Sequence, residues 1–395
     1  MSDWNAHHTA TALGFGELVD QESLDRTAGQ FEPERSVNMC DGDLVVGTAG
    51  AKSMDITVPG GAAVPAGGLT AVGVRSTHNG LGLLNQMMDW HFEDCRRRGE
   101  SISILTASES SIYHRYGYGV ASHIEFHTCA DGHAGLLPAA DALARVGSMR
   151  LALLRDAVDE TAALYDQWRQ RVVGSLTRSR AFWDAFATDA WRNLEKDEAW
   201  QVVFHHDAAG VVDGYATFVQ KPKWGDDRIP CGTIDVYEIV DLAPGARLAL
   251  WRYLTNIPLH KNVKMGHGMP DDPIRLAMRD PRRLQTEAKN DFVWVRILDV
   301  PAALNSRTFA SSQPVAFDVD GEVFTWADGE WSGSRGPLAA DVRCGIADLG
   351  AVYLGDVSWR TLSDSGRVTE LAPGGIERVD SVFRVDTRPY CTTHF

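Results

Sequence analysis

The stretch that decides the fold begins with the apolar run Leu69-Thr70-Ala71-Val72-Gly73-Val74 and extends to residue 119. The run is typical of a buried strand, and it leads into the glycine-bearing turn Asn79-Gly80-Leu81-Gly82. Apolar residues then recur at helical spacing over 84–95, and a second short strand is predicted at 102–105. This order of elements aims backbone N–H groups at a phosphate in dinucleotide, nucleoside triphosphate and coenzyme A folds alike. The order alone therefore predicts a phosphate-bearing ligand but does not select among these classes.

The residues themselves are more specific than their order. The informative strings are Thr77-His78-Asn79-Gly80-Leu81-Gly82-Leu83-Leu84, Ala107-Ser108-Glu109, Ile112-Tyr113, Arg115-Tyr116-Gly117-Tyr118-Gly119, Trp168-Arg169-Gln170, Trp294-Val295-Arg296-Ile297, Val300-Pro301-Ala302-Ala303-Leu304, Tyr353-Leu354-Gly355 and the final Phe395. In these strings, spread over nearly the whole chain, the sequence resembles the enhanced intracellular survival (Eis) family. The members of that family are acetyltransferases of the GCN5-related (GNAT) superfamily, which move acetyl from acetyl-CoA to amines.

The resemblance implies an α/β (α+β) fold of three domains. A GNAT-like domain with the CoA loop is expected at 1–145, and a second, degenerate GNAT-like domain at 146–288. A sterol-carrier-like α+β domain is expected at 289–395. The family usually begins with a strand and a helix, so the chain is expected to be shortened at its start. The resemblance also implies a homo-oligomer, possibly a hexamer.

Local patterns predict elements outside the first stretch. Glycine and proline clusters predict turns at 59–61 and 65–68. Strands are predicted at 44–46, 54–58, 201–204, 214–220, 233–241, 292–297, 314–319 and 322–326, and helices at 159–171, 246–257, 300–306, 344–351 and 357–362.

Composition and charge exclude several classes of protein. A formal net charge of −15 argues against a nucleic-acid partner, because phosphate backbones need clustered Lys and Arg. It is compatible with a polycationic substrate, although solubility alone is the simpler interpretation. No apolar stretch is long enough for a membrane span, and the first residues do not form a signal peptide. The six cysteines show no CxxC pairing, so we expect reduced thiols and a cytoplasmic location.

Acyl transfer from a thioester to an amine needs an acid for the departing thiolate and a base for the amine. A tyrosine suits the acid role, since its reference pKa is about 10 and it stays protonated at neutral pH. The resemblance assigns this role to Tyr113, whereas from the residues alone a packing role is the simpler interpretation. Tyr116 and Tyr118 fit better as packing residues.

In the Eis family the chain's own terminal carboxylate helps to deprotonate the amine. In this sequence that group would belong to Phe395. Without the resemblance, an ordinary frayed terminus would be the expectation. The neighbouring His394 could instead supply a base with a pKa near neutrality, or alter substrate preference.

The resemblance places the cofactor, acetyl-CoA, on the backbone of Val72 and Val74 and of the loop Asn79, Gly80, Leu81 and Gly82. Family members carry arginines in this loop, and here they are missing. The backbone amides and the helix dipole remain. Each lost charge-assisted contact would cost on the order of 1.5–3 kcal/mol.

The amine pocket of family members is lined from the N-terminal segment. Phe15 and Glu17 lie at about that place, although a solvated carboxylate is an equally good interpretation of Glu17. The histidines show no recognised zinc spacing, and no Gly-x-Ser-x-Gly elbow is present, so no metal site is expected.

Two functions follow from these observations. The first is an Eis-like N-acetyltransferase that acts on an amine of a cationic small molecule. The second is an Eis-fold protein repurposed for CoA-independent chemistry or for binding a natural product. The altered loop at 79–82 motivates the second.

Overall fold

A computed structural model describes residues 4–17, 19, 21–130, 135–188, 198–334 and 339–395. The helices are α1 (Trp4–Phe15), α2 (Gln21–Ala28), α3 (Leu83–Arg97), α4 (Ser110–Tyr113), α5 (Pro138–Leu143), α6 (Val158–Arg169), α7 (Arg180–Phe186), α8 (Pro244–Leu254), α9 (Ile274–Ala277), α10 (Val300–Asn305), α11 (Ile346–Val352), α12 (Trp359–Asp364) and α13 (Gly375–Phe383). The strands are β1 (Ser36–Asp41), β2 (Leu44–Thr57), β3 (Ala63–Val74), β4 (Ile102–Thr106), β5 (Gly119–Val120), β6 (His123–Ala130), β7 (Ser148–Leu153), β8 (Gln201–His206), β9 (Val212–Lys221), β10 (Gly232–Asp241), β11 (His260–Gly268), β12 (Leu284–Asp291), β13 (Val293–Ile297), β14 (Val315–Val319), β15 (Glu322–Ala327), β16 (Glu330–Ser334), β17 (Val342–Cys344) and β18 (Thr369–Glu370).

The chain divides into two compact units. The first unit comprises Met1–Ser122, Val173–Thr177 and Asp291–Phe395, and the second comprises His123–Val172 and Arg178–Asn290. The three domains with limits at 145 and 288 remain our proposal.

The first unit contains a six-stranded sheet in the order β1-β2-β3-β4-β13-β5. β2 and β3 form a long antiparallel hairpin. The chain then passes through α3 and returns as β4, which runs parallel to β3. The amphipathic helix α3 buries Met87, Met88 and Phe92 in a core that also includes Leu69 and Leu105. The helical spacing of these apolar residues is what packs α3 onto the sheet.

The first unit also holds a five-stranded sheet in the order β16-β15-β14-β17-β18. Its core is aromatic: Phe317 lies with its ring centroid 4.7 Å from Trp331 and 5.6 Å from Trp359. Burying several large rings supplies most of the driving force for this part of the fold.

The second unit is built on a seven-stranded sheet in the order β12-β6-β11-β10-β9-β8-β7. Helix α8 packs on it through Ala249, Leu250 and Leu254, all of which are buried. β10 and β11 are parallel and are joined through α8, which repeats the strand–helix–strand logic of the first unit.

Many predicted strands and helices are confirmed, and one predicted turn is wrong. The strands at 44–46 and 54–58 are parts of one strand, β2, and the predicted turn at 65–68 lies within β3. The strand has glycine at positions 67 and 68 because neighbouring side chains lie too close to its backbone on both faces to leave room for a Cβ. The described part of the chain begins with the helix α1 and not with the strand that usually comes first in the family.

No helix in the described ranges is long and apolar enough to cross a membrane. The six cysteines are all free thiols. In the part of the chain that the structure describes, no three His, Cys, Asp or Glu side chains are grouped as metal ligands would be.

Candidate active site

The centre of the first unit is a fork between two parallel strands. β3 and β4 pair only at Ala66↔Ile102, Gly67↔Ser103 and Gly68↔Ile104, although β3 continues to Val74 and β4 to Thr106. Beyond the last pair the two strands separate. The edge of β3 that faces the fork therefore presents backbone N–H and C=O groups that a ligand can bind.

A β-bulge lies on the arm of β3 that borders the fork. Thr48 pairs with Gly73 and Gly50 with Thr70, so one residue of β2 opposes the two residues Ala71 and Val72. Ala71 has a φ of 52°, a conformation that non-glycine residues rarely adopt. The Thr48 hydroxyl donates to the Ala71 carbonyl at 3.0 Å and holds the bulge in place. Such bulges re-aim backbone groups next to active sites.

The predicted phosphate loop ends at the first turn of α3. Gly82 is the N-cap residue with a φ of 76°, and Gly80 has a φ of 80°. No atom lies within 4 Å of a Cβ placed on either glycine, so a ligand can approach the backbone at both positions. Leu81 is 64% exposed, which leaves the loop accessible. The first N–H groups of α3 have no partner within the helix, and they suit a phosphate oxygen.

The charge at this loop comes from few side chains. Arg75 is the only Arg or Lys between residues 75 and 83, and its Nε donates to the Val45 carbonyl at 2.7 Å. His78 lies 3.4 Å from an Asp41 oxygen. The loop residues therefore fit a pyrophosphate through backbone donors and the helix dipole, and no arginine or lysine side chain belongs to positions 76–83.

Tyr113 closes the short helix α4 and is buried, with 8% of its surface exposed. Its ring lies edge-on to Tyr118, with centroids 6.0 Å apart. Burial raises the pKa of Tyr113, and the negative charge of Glu109 and the neighbouring Tyr116 raise it further. Its hydroxyl thus keeps its proton at neutral pH, as a general acid must.

A buried hydrogen-bond network distinguishes Tyr118 from Tyr113. The Ser103 hydroxyl lies 3.0 Å from the Gly67 carbonyl oxygen, 2.7 Å from the Tyr118 hydroxyl and 2.7 Å from His91 Nε2. A carbonyl can only accept, so the single Ser103 proton points to Gly67. Tyr118 and His91 Nε2 must then donate to Ser103. Burial lowers the pKa of His91 to about 3, which keeps this ring neutral. The Tyr118 proton is therefore committed to the core.

Phe395 lies at the fork itself. A Cβ placed on Gly68 of β3 would be 3.0 Å from Phe395 Cε2, so the ring rests on the bare strand. On the other arm, the Thr106 hydroxyl donates to the main-chain oxygen of Phe395 at 3.4 Å. The preceding residues Thr392 and Thr393 are fully buried, which fixes the path of the segment.

Other predicted site residues lie farther out. His394 is exposed, and its ring is 6.2 Å from that of Phe292. Phe15 is 51% exposed, and Glu17 is exposed as well. A Cβ on Gly14 would lie 3.7 Å from Gly73 Cα, so the end of α1 touches β3 beside the bulge.

The structure thus places Phe395 at the fork, against Gly68 of β3 and Thr106 of β4. Tyr113 lies in the hydrophobic core against which Val72 and Val74 pack, and the loop 79–82 follows the end of β3. Sequence reasoning missed the Ala71 bulge and the Ser103 network. The pair Gly67-Gly68 is the signal in the sequence for a close approach to the backbone, and the turn predicted there is wrong because both glycines lie in β3.

Family models match three parts of the chain. Residues 1–121 match an acetyltransferase (GNAT) domain, and residues 174–297 match a second acetyltransferase (GNAT) domain model. Residues 300–392 match a sterol carrier protein domain. The fold and these matches together define a GNAT N-acetyltransferase with tandem GNAT domains followed by a sterol-carrier-like domain.

Similar proteins cover almost the full chain. An uncharacterized N-acetyltransferase of Streptomyces avermitilis is 34% identical over 98% of this chain and 96% of its own length. The N-acetyltransferase Eis of Mycobacterium tuberculosis is 28% identical over 97% of this chain and 95% of its own length. The crystal structure of Eis1 from Mycobacterium abscessus superposes with a TM-score of 0.87 at 26% identity, covering 100% of this chain and 99% of Eis1. The chain belongs to the Eis family of N-acetyltransferases.

Proposed function

We propose that the protein transfers acetyl from acetyl-CoA to an amine of a cationic small molecule. The observation that carries this proposal is the position of Phe395 at the fork between Gly68 and Thr106, on the strand β3 that carries the Ala71 bulge. Tyr113 supports it, because this tyrosine lies in the core that also includes Leu69 of β3. An acid, a carboxyl group and backbone donors are the set that amine acetylation requires.

The cofactor would be held mainly by main-chain groups. The loop from Asn79 to Gly82 and the first turn of α3 would bind the pyrophosphate, and the backbone of Val72 and Val74 would bind along the fork. When bound, acetyl-CoA supplies an activated thioester. The backbone N–H groups of β3 beside the Ala71 bulge would stabilise negative charge on the acetyl carbonyl oxygen.

Two residues would move protons. The carboxyl group of Phe395 would accept a proton from the attacking amine. Tyr113 would give its proton to the departing thiolate, since its raised pKa keeps it protonated until then. Positioning both groups against one bound amine supplies the rest of the rate enhancement. Phe15, Glu17 and His394 would border the approach of the amine from the side of α1 and the final residues.

Calorimetric titration of the 395-residue chain with acetyl-CoA tests the proposal first. We expect micromolar binding, which corresponds to about −8 kcal/mol. A panel of polyamines and aminoglycosides would then identify the acceptor by mass spectrometry of the acetylated product. An absence of binding at millimolar acetyl-CoA would overturn this proposal. It would favour the alternative in which the same fork serves CoA-independent chemistry or binds a natural product.

We also propose a homo-oligomer in the cytoplasm, with a hexamer as the expected size. Light scattering on the purified chain gives the mass directly. A monomeric mass of 43.3 kDa would refute this expectation.

A further inference from the structure

A cleft in the second unit gathers three arginines around one carboxylate. Arg145, Arg252 and Arg279 line a cavity of about 180 Å³ together with Asp141. Three guanidinium groups and one carboxylate leave two positive charges uncompensated at this cleft.

The hydrogen bonds inside this arginine cleft leave donors for a ligand. Arg145 Nε donates to Asp141 at 2.7 Å, and Arg252 Nε donates to the other oxygen at 3.1 Å. Arg279 Nε donates to the Leu136 carbonyl at 2.9 Å. In the described part of the chain these three guanidinium groups make no other hydrogen bond or ion pair. Each is therefore fixed through Nε while its terminal N–H groups are available, the fork that binds oxyanions.

The charges decide in favour of an anion. The pKa of Asp141 is lowered, above all by its hydrogen bond from Arg145, so this carboxylate is ionised and already counted. The carboxyl end of α8 adds about half a negative charge beside Arg252. That is less than the two positive charges left over. One guanidinium would suffice to pair Asp141, so the charges of the other two are not balanced within the cleft.

The cleft also has room and an apolar floor. Trp251 and Met278, both buried, line the smaller cavity. A second cavity of about 490 Å³ shares Arg145, Arg252 and Asn256 with it, so the two lie side by side. About 150 Å³ is enough to hold benzene. An anionic group at the arginines could thus be joined to a ring-sized body in either cavity.

We propose that this arginine cleft is a binding site for a small molecule that carries a phosphate or carboxylate group on an apolar body. The site belongs to the second unit and is independent of the acetyl transfer proposed for the first. Its ligand would be recognised by guanidinium–oxyanion pairs and by burial of its body against Trp251.

Calorimetry with phenyl phosphate, benzoate, inorganic phosphate and phenol tests the proposal on the full chain. We expect phenyl phosphate or benzoate to bind with a Kd below about 1 mM, at least tenfold tighter than phenol, because only the charged probes engage the arginines. The stronger of the two identifies the anionic group. Inorganic phosphate should bind more weakly than phenyl phosphate, since it lacks the apolar body.

The double variant Arg145→Gln/Arg252→Gln should weaken the better probe at least tenfold. Arg150→Gln/Arg180→Gln is the charge-matched control, because both arginines lie in the same unit, are 42% and 67% exposed, and pair with Glu160 and Asp159 outside the cleft. The thermal midpoint of both variants verifies folding. Equal binding by the cleft variant and wild type, or no binding of any charged probe, would overturn the proposal. A change of oligomeric state in the cleft variant alone would also overturn it, because the arginines would then belong to a subunit interface.

Discussion

Tyr113 and Tyr118 have touching rings but different surroundings. The Tyr118 hydroxyl is committed to Ser103 at 2.7 Å, and the residue is fully buried. Tyr113 lies in the same core, where burial and the charge of Glu109 raise its pKa. The motif could predict Tyr113, but a network through Ser103 and His91 has no signature in the sequence. Such a network becomes visible only when hydrogen-bond partners are known.

Tyr113→Phe should lower kcat about 100-fold or more, with little change in the Kd of acetyl-CoA, because a general acid acts on the chemical step. Steady-state kinetics and calorimetry measure the two effects separately. Tyr118→Phe is the matched control, since it removes the neighbouring hydroxyl from the same core. It should keep most of its activity while losing roughly 1 kcal/mol of stability. A loss of activity as large in Tyr118→Phe would mean that Tyr113 is not the acid.

The pH dependence of kcat should report the proton on Tyr113. Because the pKa of Tyr113 is raised, its protonated form is present at neutral pH and is lost as pH rises through a value above 10. Glu109→Gln removes one cause of that shift, so the alkaline limb should move to lower pH. Glu93→Gln, also an exposed carboxylate, is the control and should leave the limb in place. The same alkaline limb in all three proteins would contradict the assignment.

His91 should make the fold sensitive to acid. Its pKa is lowered from 6.5 to about 3 by burial and by the charge of Arg35, so the folded state resists protonation. Its contribution is fully present above pH 6.5 and is lost as pH falls towards 3. At pH 5 the loss is about 2 kcal/mol, at 1.36 kcal/mol for each unit. His91→Gln keeps an N–H donor for Ser103, and the free energy of unfolding of this variant should fall less between pH 7 and pH 5. Urea titrations at both pH values measure the free energy of unfolding of wild type and variant. An equal fall in this free energy between pH 7 and pH 5 in both proteins would refute the role of His91.

At the scale of elements, the fork depends on two glycines that face opposite sides of β3. A Cβ on Gly67 would lie 2.4 Å from Cys95 Sγ and 3.0 Å from Arg35 Nη2 in a packed ionic cluster. A Cβ on Gly68 would instead meet Met54 Sδ at 2.9 Å, the Phe395 ring at 3.0 Å and the Lys52 carbonyl oxygen at 3.3 Å. One face of β3 thus packs against the cluster of Arg35 and Cys95, and the opposite face contacts Phe395, the proposed base.

Gly68→Ala should displace Phe395 and lower kcat roughly tenfold. It should cost less stability than Gly67→Ala, because Met54 Sδ and the Phe395 ring can move aside and the nearest backbone atom, the Lys52 carbonyl oxygen, is 3.3 Å away. Gly67→Ala is the paired variant and should cost about 1–3 kcal/mol through overpacking. Chemical denaturation and steady-state kinetics on both variants check this division. Full activity in Gly68→Ala would show that the position of Phe395 on β3 does not matter for turnover.

Elements with a strong local period could be predicted, and those defined by distant partners could not. The helix α3 and the strand β4 were predicted nearly to the residue, since apolar spacing and a short apolar run determine them. The predicted strand at 292–297 is β13, but nothing local indicates that it pairs with β4. The interior glycines of β3 were mistaken for a turn because propensity carries no information about neighbouring side chains.

At the scale of the whole molecule, the candidate site contains residues that are far apart in the sequence. Thr106 and Phe395 are separated by 289 positions, and their contact depends on the path of the final buried segment. Sequence spacing cannot predict such a contact, and only the family resemblance indicated it. The proposed base is therefore a property of the complete first unit.

Net charge is the property of the whole molecule that should select among acceptors. At −15 the protein attracts cations over a distance set by salt, about 30 Å at 0.01 M and less than 10 Å above 0.1 M. If the acceptor is a polycation, its kcat/KM should fall roughly tenfold when ionic strength rises from 0.01 to 0.3 M. A monoamine is the matched control acceptor, and its kcat/KM should fall less than about twofold because it carries a single charge. Progress curves for both acceptors at fixed, saturating acetyl-CoA give kcat/KM at each ionic strength. If kcat/KM falls equally with ionic strength for the two acceptors, the acidic surface serves solubility alone and contacts within the fork select the acceptor.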